Sequence, residues 1–416
     1  MDYIREPERQ TPIVADTDLL VCGGGFAGVA AAVSAARLGV KVLLLEKYGF
    51  LGGLATGGLV ITTPPLDNGI NREIGERLRA RGVYVPCRDS GEEFESIGMH
   101  AIDPEFVKHD FQTMLAAAGV AVRLHTLVAG VVTEGERITG VITESKAGRQ
   151  AIRARILVDA SGDADLVFHA GAPFRLLRKP MTMMFNMVGV DTRRALERVG
   201  NWRRMRTLIK EAMGRGELRF TLGTEPEFGA PGVNAAQLVY DGEINVWSGN
   251  LPGLDGTDPM ELTQAEFVTR DHAMAMAEYL IARVPGFEKA RIEVTATQVG
   301  VRATRQIVGH AMPSAQQVRA GGSPETVAKP YARDEMRIPV GSLLPRGVEN
   351  LLVAGRCLSA EDEILGQLRL IPVCSATGQA AGVAAALALA AGRPPAELRV
   401  AAIQEALARQ GMDLCL

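Results

Sequence analysis

Three glycines near the N-terminus have the spacing of a nucleotide-binding turn. Gly23, Gly25 and Gly28 fill the slots of a GxGxxG pattern, which permits a tight turn, close approach of backbone N–H groups to a pyrophosphate and close packing of a helix on a strand. Glu46 follows where an acidic side chain would bind the ribose hydroxyls of an adenine dinucleotide. The pattern therefore predicts a dinucleotide site. The alternative is a glycine-rich turn in another βαβ unit.

A second glycine-rich segment comes directly after Glu46. It runs from Gly49 to Gly58 with the sequence GFLGGLATGG. This segment is too rich in glycine for regular structure and too apolar for a solvated linker. Such a loop suits close backbone contact with a flat or charged ligand. The alternative is a flexible surface loop.

Four side chains are candidates for catalysis. His100 lies in a polar segment that we expect to be irregular, and His310 follows an arginine-containing segment; an imidazole can move a proton near neutral pH. Arg302 and Arg369 each offer a planar two-donor fork that could bind a substrate carboxylate or polarise a carbonyl. The alternatives are structural: surface or hydrogen-bonded histidines, a surface arginine, and a salt bridge from Arg369 to an acid such as Glu361.

The first glycines require a strand, a turn, a helix and a second strand to position them. Leu19 to Cys22 is apolar at every position, as in a strand inside a parallel sheet. Alanines follow the turn, so that the next helix can lie close on the sheet, and Gly39 is expected to end that helix. Val40 to Leu45 then forms the second strand. The N-terminus of the helix would point at the phosphates.

Later segments extend the same sheet. Buried strands are predicted at Val120–Leu124, at Leu157–Val158 and at Asn350–Val353, and a small antiparallel meander at Val128–Val132, Ile138–Glu144 and Gln150–Ile156. Between residues 173 and 339 the composition changes to methionine-rich and arginine-rich segments. We therefore predict an α/β fold: a Rossmann-like three-layer domain with the meander, formed by residues 1–172 and 340–416, and an inserted α+β substrate domain, residues 173–339.

Composition restricts the class of protein. The 416 residues carry 45 Lys and Arg against 48 Asp and Glu, a net charge of −3, and no basic block indicates a nucleic-acid partner. The five cysteines are scattered without a CxxC pair. This pattern favours reduced thiols in a cytoplasmic protein and gives no indication of a metal site.

No membrane segment is expected. The leader, residues 1–16, is polar and charged, without the apolar core of a secretory signal. The longest apolar run, Ala376 to Ala391, is mostly alanine and is interrupted by Gly378, Gln379 and Gly382. We interpret it as a buried helix and not as a membrane span.

Four segments together resemble a known family. They are GGGFAG with Glu46, LGGLATGG, VDASGDADL, and the C-terminal pair NLLVAGRCLSA and RLIPVCSATGQAAG. They resemble FAD-dependent oxidoreductases with a glutathione-reductase-type FAD fold, and more narrowly the bacterial family known only as FAD-dependent oxidoreductase. VGVRATRQIVG is also similar to an arginine-containing stretch of that family. The resemblance spans nearly the whole chain, and the C-terminal pair discriminates most.

The resemblance implies a set of cofactor contacts. Glu46 would bind the adenosine ribose, a backbone group near Val128 the adenine, and a helix starting near Gly378 the flavin end, where its N-terminus would stabilise the negative charge of reduced flavin. The implied FAD-binding residues are Gly23, Gly25, Phe26, Ala27, Gly28, Glu46, Lys47, Gly52, Gly53, Val128, Gly162, Asp163, Gly355, Arg356, Gly378, Gln379 and Ala380. No histidine lies between Gly49 and Gly58, so non-covalent FAD is expected.

The chain departs from the family pattern on the expected substrate side. His310 stands where the family often has an acidic residue, and Ile338 to Ser342 lacks an aromatic residue after its proline. The resemblance implies hydride transfer between a small organic substrate and flavin N5, because the cofactor carries the redox chemistry. The alternatives are a non-redox flavoprotein, such as a hydratase, an isomerase or a protein with structural flavin, and an NAD-dependent dehydrogenase. Substrate, electron acceptor, direction and oligomeric state stay open.

Overall fold

The N-terminal part of the chain alternates strands and helices. The computed structural model describes residues 4, 7–229, 232, 234–319, 323–333 and 335–415. The elements up to residue 172 are β1 (Ile13–Cys22), α1 (Phe26–Ala36), β2 (Val42–Leu45), α2 (Leu54–Gly57), β3 (Thr62–Thr63), α3 (Ile70–Ala80), β4 (Tyr84–Pro86), α4 (Glu92–Ile97), β5 (His100–Ile102), α5 (Pro104–Ala117), β6 (Ala121–Arg123), β7 (Leu127–Glu134), β8 (Arg137–Ser145), β9 (Gly148–Asp159) and α6 (Asp165–His169).

The middle of the chain contains a longer helix and many short strands. Its elements are β10 (Phe174–Leu176), β11 (Met181–Thr182), β12 (Met184–Val188), α7 (Thr192–Val199), α8 (Met205–Gly214), β13 (Asn234–Gln237), β14 (Ile244–Trp247), α9 (Pro259–Arg283), β15 (Arg291–Thr295), β16 (Gly300–Val301), β17 (Arg305–Ile307), α10 (Ala315–Arg319), β18 (Thr326–Ala328) and β19 (Ile338–Pro339). The C-terminal elements are β20 (Leu351–Val353), α11 (Asp362–Leu368), α12 (Ile371–Ala391) and α13 (Val400–Arg409).

A parallel sheet confirms the predicted nucleotide-binding core. Its strand order is β6-β2-β1-β9-β20, and β8 and β7 continue from the N-terminal half of β9 as an antiparallel meander. The side chains of β1 alternate between the two faces. Leu19 and Val21 pack with the core that includes α1 and α12, whereas Leu20 and Cys22 pack with the meander. Helices, sheet and meander are therefore the three predicted layers.

Helices α1 and α12 cross in close backbone contact. A methyl group added to Gly378 would lie 2.1 Å from the Ala27 carbonyl oxygen, and one added to Gly382 would lie 2.1 Å from the Ala31 carbonyl oxygen. Helix α12 is long and apolar enough to cross a membrane by length and composition, but 78% of its most apolar window is buried in the protein. The prediction of a buried helix is therefore confirmed.

A second sheet lies within the predicted substrate domain. It is antiparallel, with the order β13-β14-β12-β15, and α9 packs against β12 and β15. The hairpin of β18 and β19 packs instead on α12 and α13, and Gln404 of α13 donates a hydrogen bond to the Thr326 carbonyl oxygen at 2.9 Å. The division into two domains, with its boundary at residue 339, stays a prediction, since this hairpin contacts helices of the predicted FAD-binding domain.

One expectation about local structure is wrong. The segment from Cys87 to His100 contains helix α4, and His100 begins β5, which pairs with β3 and β4 in a three-stranded sheet. Phe94 is buried and brings α4 against Trp247, with ring centroids 6.3 Å apart. Strand pairing and the buried Phe94 thus hold a segment whose polar composition suggested an irregular loop.

Candidate functional site

Two glycines of the first turn are required by the protein itself. Gly23 has a φ of +110°, and a methyl group there would lie 2.3 Å from the Ala160 carbonyl oxygen. A methyl group on Gly28 would lie 1.8 Å from the Gly23 carbonyl oxygen. Only glycine fits at either position, because the clashes are with backbone atoms.

Gly25, the second glycine of the GxGxxG pattern, differs from Gly23 and Gly28. Its φ is −75°, it precedes α1 as the N-cap, and an added methyl group would meet nothing nearer than the Gly53 α-carbon at 3.7 Å. Among the described residues no side chain caps α1, and the N–H groups of a helix's first turn point out from its N-terminus, toward this space. An open space beside a helix N-terminus, with no side chain in it, can hold a pyrophosphate group.

The second glycine-rich segment is held against the first. Gly52 pairs with Gly25 in a parallel bridge, and its N–H donates to the Gly24 carbonyl oxygen at 2.9 Å. Leu54 to Gly57 forms the short helix α2, so the expectation of no regular structure is wrong for these four residues. The backbone contact contradicts the alternative of a flexible surface loop. Gly52 and Gly53 therefore form the opposite wall of the space at Gly25.

Glu46 connects the two glycine segments. Its side chain is buried, and its carboxylate accepts hydrogen bonds from the Gly24 N–H at 2.7 Å and the Tyr48 N–H at 2.9 Å. Thr126, just before β7, donates to the Glu46 carbonyl oxygen at 3.0 Å. This bond brings the predicted adenine contact near Val128 to the same edge of the sheet as the predicted ribose contact.

Three other predicted FAD-binding residues occupy different surroundings. Phe26 is buried and packs edge-on against Phe111 of α5, with centroids 4.7 Å apart. Ala27 lies beneath α12, and Lys47 is exposed with its ammonium 5.2 Å from the Tyr48 ring centroid. The side chain of Phe26 therefore supports α1 from behind.

The turn after β9 forms an ion pair with the C-terminal part of the chain. Asp163 accepts hydrogen bonds from the Arg356 guanidinium and from the Thr304 hydroxyl, both at 2.6 Å. Arg356 also donates to the Gly162 carbonyl oxygen at 2.8 Å and to the Val301 carbonyl oxygen. Predicted cofactor-binding residues thus meet here, and they join both parts of the predicted FAD-binding domain to the predicted substrate domain.

Sequence reasoning missed the role of Asp159 at the end of β9. Its carboxylate is fully buried and accepts hydrogen bonds from Ser161 and from the N–H groups of Leu166 and Val167. Burial, and next the charge of Asp165, raise the pKa of Asp159 to about 6. The signal was available in VDASGDADL, where an acid ends an apolar strand immediately before a short helix.

The prediction of a helix start near Gly378 is wrong. Helix α12 begins at Ile371, so Gly378 lies seven residues inside it and packs on α1. The Gln379 side chain is buried, accepts from the Ile70 N–H at 2.9 Å and donates to the Gln410 carbonyl oxygen at 3.2 Å, and Ala380 is fully buried. Gly378, Gln379 and Ala380 therefore pack α12 inside the protein. Its free N-terminal end, which has no side-chain cap, lies at Ile371.

Gly355 has the backbone conformation that only glycine adopts easily. Its φ is +85°, and its N–H donates to the Thr377 hydroxyl at 3.1 Å. A methyl group there would lie 3.0 Å from the Ala27 side chain. The end of β20 is thereby held between α1 and α12, and it directs Arg356 toward Asp163.

Two of the four catalytic candidates lie together. Arg302 donates to the Pro180 carbonyl oxygen at 2.8 Å, and burial followed by the charge of Arg369 lowers its pKa to about 9. Burial and then the charge of Arg356 lower the pKa of Arg369. Arg302, Arg356 and Arg369 therefore form one cluster of guanidinium groups beside the N-terminus of α12, which we call the arginine cluster.

The two histidine candidates lie elsewhere. His100 stacks on Tyr84, with ring centroids 4.2 Å apart, and its Nδ1 bonds to the Gly98 carbonyl oxygen at 2.8 Å. Burial lowers the pKa of His100. His310 is exposed and lines a cavity of about 820 Å³ together with Arg337 and Val400. The structure thus brings the two arginines together but does not bring either histidine to them.

The sequence matches the model of a protein family over nearly its whole length. The family is FAD dependent oxidoreductase, and residues 18–334 and 319–407 are matched. This chain belongs to that family. The predicted cofactor, FAD, is confirmed by this membership, and a simple NAD-binding dehydrogenase is not favoured.

Curated relatives of this FAD-dependent oxidoreductase match over part of the chain. A digeranylgeranylglycerophospholipid reductase from Methanopyrus kandleri is 31% identical over 187 residues, 42% of this chain and 45% of the relative. A thiamine thiazole synthase from Desulfosudis oleivorans is 31% identical over 171 residues, 38% of this chain and 60% of the relative. The matched region thus spans about half of each relative.

Solved structures share the fold of this family member over a larger part of the chain. A geranylgeranyl bacteriochlorophyll reductase-like protein from Thermoplasma acidophilum has a TM-score of 0.54 at 16% identity, covering 95% of this chain and 82% of its own. A myxobacterial FAD-dependent chondrochloren halogenase has a TM-score of 0.52 at 16% identity, with 95% and 79% covered. At this identity the likeness concerns the fold alone, and it agrees with the predicted fold class.

Proposed function

We propose that this chain is a flavoenzyme that exchanges a hydride between a small organic substrate and N5 of non-covalent FAD. The relatives bear the names of a lipid reductase and a thiazole synthase, so they share the cofactor-binding region and differ in substrate. Their matched regions cover about half of their lengths, and we do not transfer either substrate to this chain.

The observation that carries the proposal is the space beside Gly25. Gly23 and Gly28 are explained by clashes within the protein, but a methyl group on Gly25 would meet no protein atom closer than 3.7 Å. A glycine that the fold does not require indicates a ligand that must come close to the backbone. We propose that Gly25, Gly52 and Gly53 hold the pyrophosphate and that Glu46 holds the ribose.

The remaining groups of the site would act on the flavin end and on the substrate. Bound FAD supplies the hydride chemistry. The uncapped N-terminus of α12 at Ile371 favours negative charge placed beside it. Asp163 fixes Arg356, while Tyr48 donates to the Gln298 side chain at 2.7 Å and so ties the second glycine segment to the second domain.

The cellular setting is also part of the proposal. All five cysteines are free, and three of them are buried, which supports a reducing, cytoplasmic location. The expected partners are a small-molecule substrate and an electron acceptor. The division into a discontinuous FAD-binding domain, residues 1–172 and 340–416, and a substrate domain, residues 173–339, is supported by the two separate sheets.

The first experiment tests the cofactor site through Gly25→Ala. Since the added methyl group fits the protein, we expect unchanged thermal unfolding of the apoprotein but FAD affinity about 100-fold weaker, or nearly 3 kcal/mol in binding free energy, measured by calorimetric titration. Gly140→Ala is the matched control, because its added methyl group also lies 3.8 Å from its nearest neighbour. Equal FAD affinity in Gly25→Ala and the wild type would contradict the proposed site.

A second measurement tests the reaction. The purified protein is screened anaerobically against candidate reductants and oxidants while flavin absorbance is followed. Bleaching by an organic substrate supports hydride transfer. Turnover of a substrate without any change in flavin redox state would favour a hydratase or isomerase, and extraction of NAD without FAD would favour a dehydrogenase.

A further inference from the structure

We propose that the outward side of helix α9 is a dimer interface, on which a second copy of this chain packs. Three apolar side chains on this side are exposed: Met260, Phe267 and Met274, with 76%, 66% and 42% of their surface accessible. We call them the α9 row. The interface is separate from the hydride chemistry, because none of the predicted FAD-binding residues lies on α9.

Helix α9 has an apolar side toward the protein and another toward solvent. Its inward side carries buried residues, among them Val268 and Met276, and contacts β12 and β15. The members of the α9 row follow one another every seven residues, so each is displaced by only about 20° around the helix axis from the next. They form a nearly straight line about 21 Å long at the rise of an α-helix. Exposed apolar side chains that line up mark an interaction surface, whereas single scattered ones do not.

A neighbouring segment enlarges this apolar surface. The Leu222 N–H donates to a carboxylate oxygen of Asp271 at 3.2 Å, which holds the segment beside the outward side of α9. The Leu222 side chain is 51% exposed. The apolar surface therefore extends from the helix onto the segment next to it.

The size of this surface indicates a weak dimer. Helix α9 has 25 residues, so it is about 37 Å long and about 10 Å wide with its side chains, and one side offers roughly 400 Å². Each partner in a standard interface contributes about 800 Å². The segment at Leu222 and its surroundings must supply the remainder. We therefore expect a dissociation constant in the micromolar range.

A second copy fits the α9 row because the row is symmetrical about Phe267. The row has a methionine seven residues before Phe267 and another seven residues after it. When two α9 helices pack antiparallel around a two-fold axis at Phe267, Met260 meets the partner's Met274 and the two Phe267 rings meet each other. Such a self-complementary patch is what a two-fold dimer requires.

The polar residues beside the α9 row suit the same arrangement. Gln264 and Asp271 lie on one side of the row, and Thr263 and Arg270 on the other, each about 40–60° around the axis from Phe267. In the antiparallel dimer Gln264 faces the partner's Asp271, so that its amide donates to the carboxylate. Thr263 faces the partner's Arg270. Each charged side chain thus meets an uncharged polar one, and like charges are kept apart.

Glu278 favours antiparallel over parallel packing. Its side chain is exposed and lies about 20° from the line of the α9 row. In a parallel pair it would face the partner's Glu278, and the two negative charges would repel each other. In the antiparallel pair it lies near the N-terminus of the partner's helix, where the helix dipole favours negative charge.

Sedimentation velocity of the FAD-loaded full chain tests this interface. The wild type should dimerise as its concentration rises from below micromolar to near millimolar, and Phe267→Glu should weaken dimerisation at least about tenfold, because it places two charges at the centre of the interface. Phe267→Leu should retain the dimer. Val132→Glu on β7 is the matched control, since Val132 is 48% exposed away from α9, and it should dimerise like the wild type.

Disulfide formation tests the orientation of the two helices. The chains carry Cys415→Ser, which removes an exposed thiol. Under mild oxidation a Met260→Cys chain should join a Met274→Cys chain in a mixture of the two. Disulfides that join only chains with the same substitution would contradict the antiparallel arrangement.

Other results would overturn the dimer itself. A wild type that stays monomeric at every concentration would do so, as would dimerisation that Phe267→Glu leaves unchanged. Binding of monomers to phosphatidylglycerol vesicles, lost in Phe267→Glu, would instead identify the α9 row as a membrane contact. Thermal unfolding is measured for every variant, and Met260→Glu, at the most exposed position of the row, repeats the test if Phe267→Glu does not fold.

Discussion

The turn before α1 and the middle of α12 are both marked by glycine, but the space beside their glycines differs. At Gly25 an added methyl group would enter open space, with the nearest protein atom 3.7 Å away. At Gly378 it would lie 2.1 Å from a backbone oxygen of α1. The first glycine leaves room for a ligand, whereas the second lets two helices touch. One residue type therefore serves binding in one region and packing in the other.

The same distinction applies to polar residues. The Arg369 guanidinium has no hydrogen-bond or ion-pair partner among the described residues, whereas His100 and Gln379 have polar atoms bonded within the protein. Residue type suggested catalysis for Arg369 and His100, and the family resemblance implied cofactor binding for Gln379. Neighbouring backbone and bonding partners decide which of them remain available to a ligand.

The largest effect on stability is expected from a substitution at Gly378, the glycine that serves packing. Gly378→Ala places a methyl group against the Ala27 carbonyl oxygen, and separating α1 from α12 should cost about 3 kcal/mol or more. Thermal unfolding should show a large loss of stability or no soluble protein. The control is Gly214→Ala in α8, where the new methyl group has no neighbour within 4 Å; it should stabilise by up to about 1 kcal/mol. A stable Gly378→Ala protein with normal FAD content would contradict close packing here.

Much of the fold could be predicted because its signals are local. The apolar strand Leu19 to Cys22, the glycine spacing and the β-rich segments of the meander depend on nearby residues, and all three are found as expected. The resemblance implied a helix start near Gly378, whereas α12 begins at Ile371. The glycines in SATGQAAG instead allow contact with α1, about 350 residues earlier in the chain, which a local pattern does not contain.

The candidate site could be predicted from the sequence only where the backbone, and not a side chain, would contact the ligand. Gly25 was predicted from the GxGxxG spacing and Gly52 from the glycine-rich segment that contains it, and the structure places the two residues in contact. The pairing of Asp163 with Arg356 could not be derived, because it depends on how separate segments of the chain meet. The position of His310 could not be derived either, because segments from different parts of the chain line its cavity.

A smaller effect is expected from the buried acid beside the nucleotide turn. Burial raises the folded-state pKa of Asp159 to about 6 from 3.8, so the folded state binds this proton more tightly than the unfolded state. The associated stability is fully present below pH 3.8 and is lost as pH rises through 6, by about 3 kcal/mol. Unfolding free energy measured between pH 4 and 8 should show this fall in the wild type.

Asp159→Asn serves as the comparison for that titration. Asn also loses acceptors for Leu166 and Ser161, so its absolute stability should be lower at every pH. Its dependence on pH between 4 and 7 should nevertheless be flatter than in the wild type. Parallel curves for the two proteins would show that another group titrates, and Asp159 would then be a purely structural cap of α6.

The smallest effect is expected for the histidines. His100→Phe keeps the stack on Tyr84 and loses one hydrogen bond to Gly98, so it should cost about 1 kcal/mol or less. Turnover and its pH profile should stay unchanged once a substrate is known, and His310→Ala should behave likewise because His310 is exposed on a separate cavity. A fall in kcat of about 100-fold or more, with loss of one limb of the pH profile, would instead identify a general acid or base. That result would place the histidine among the residues that contact the substrate.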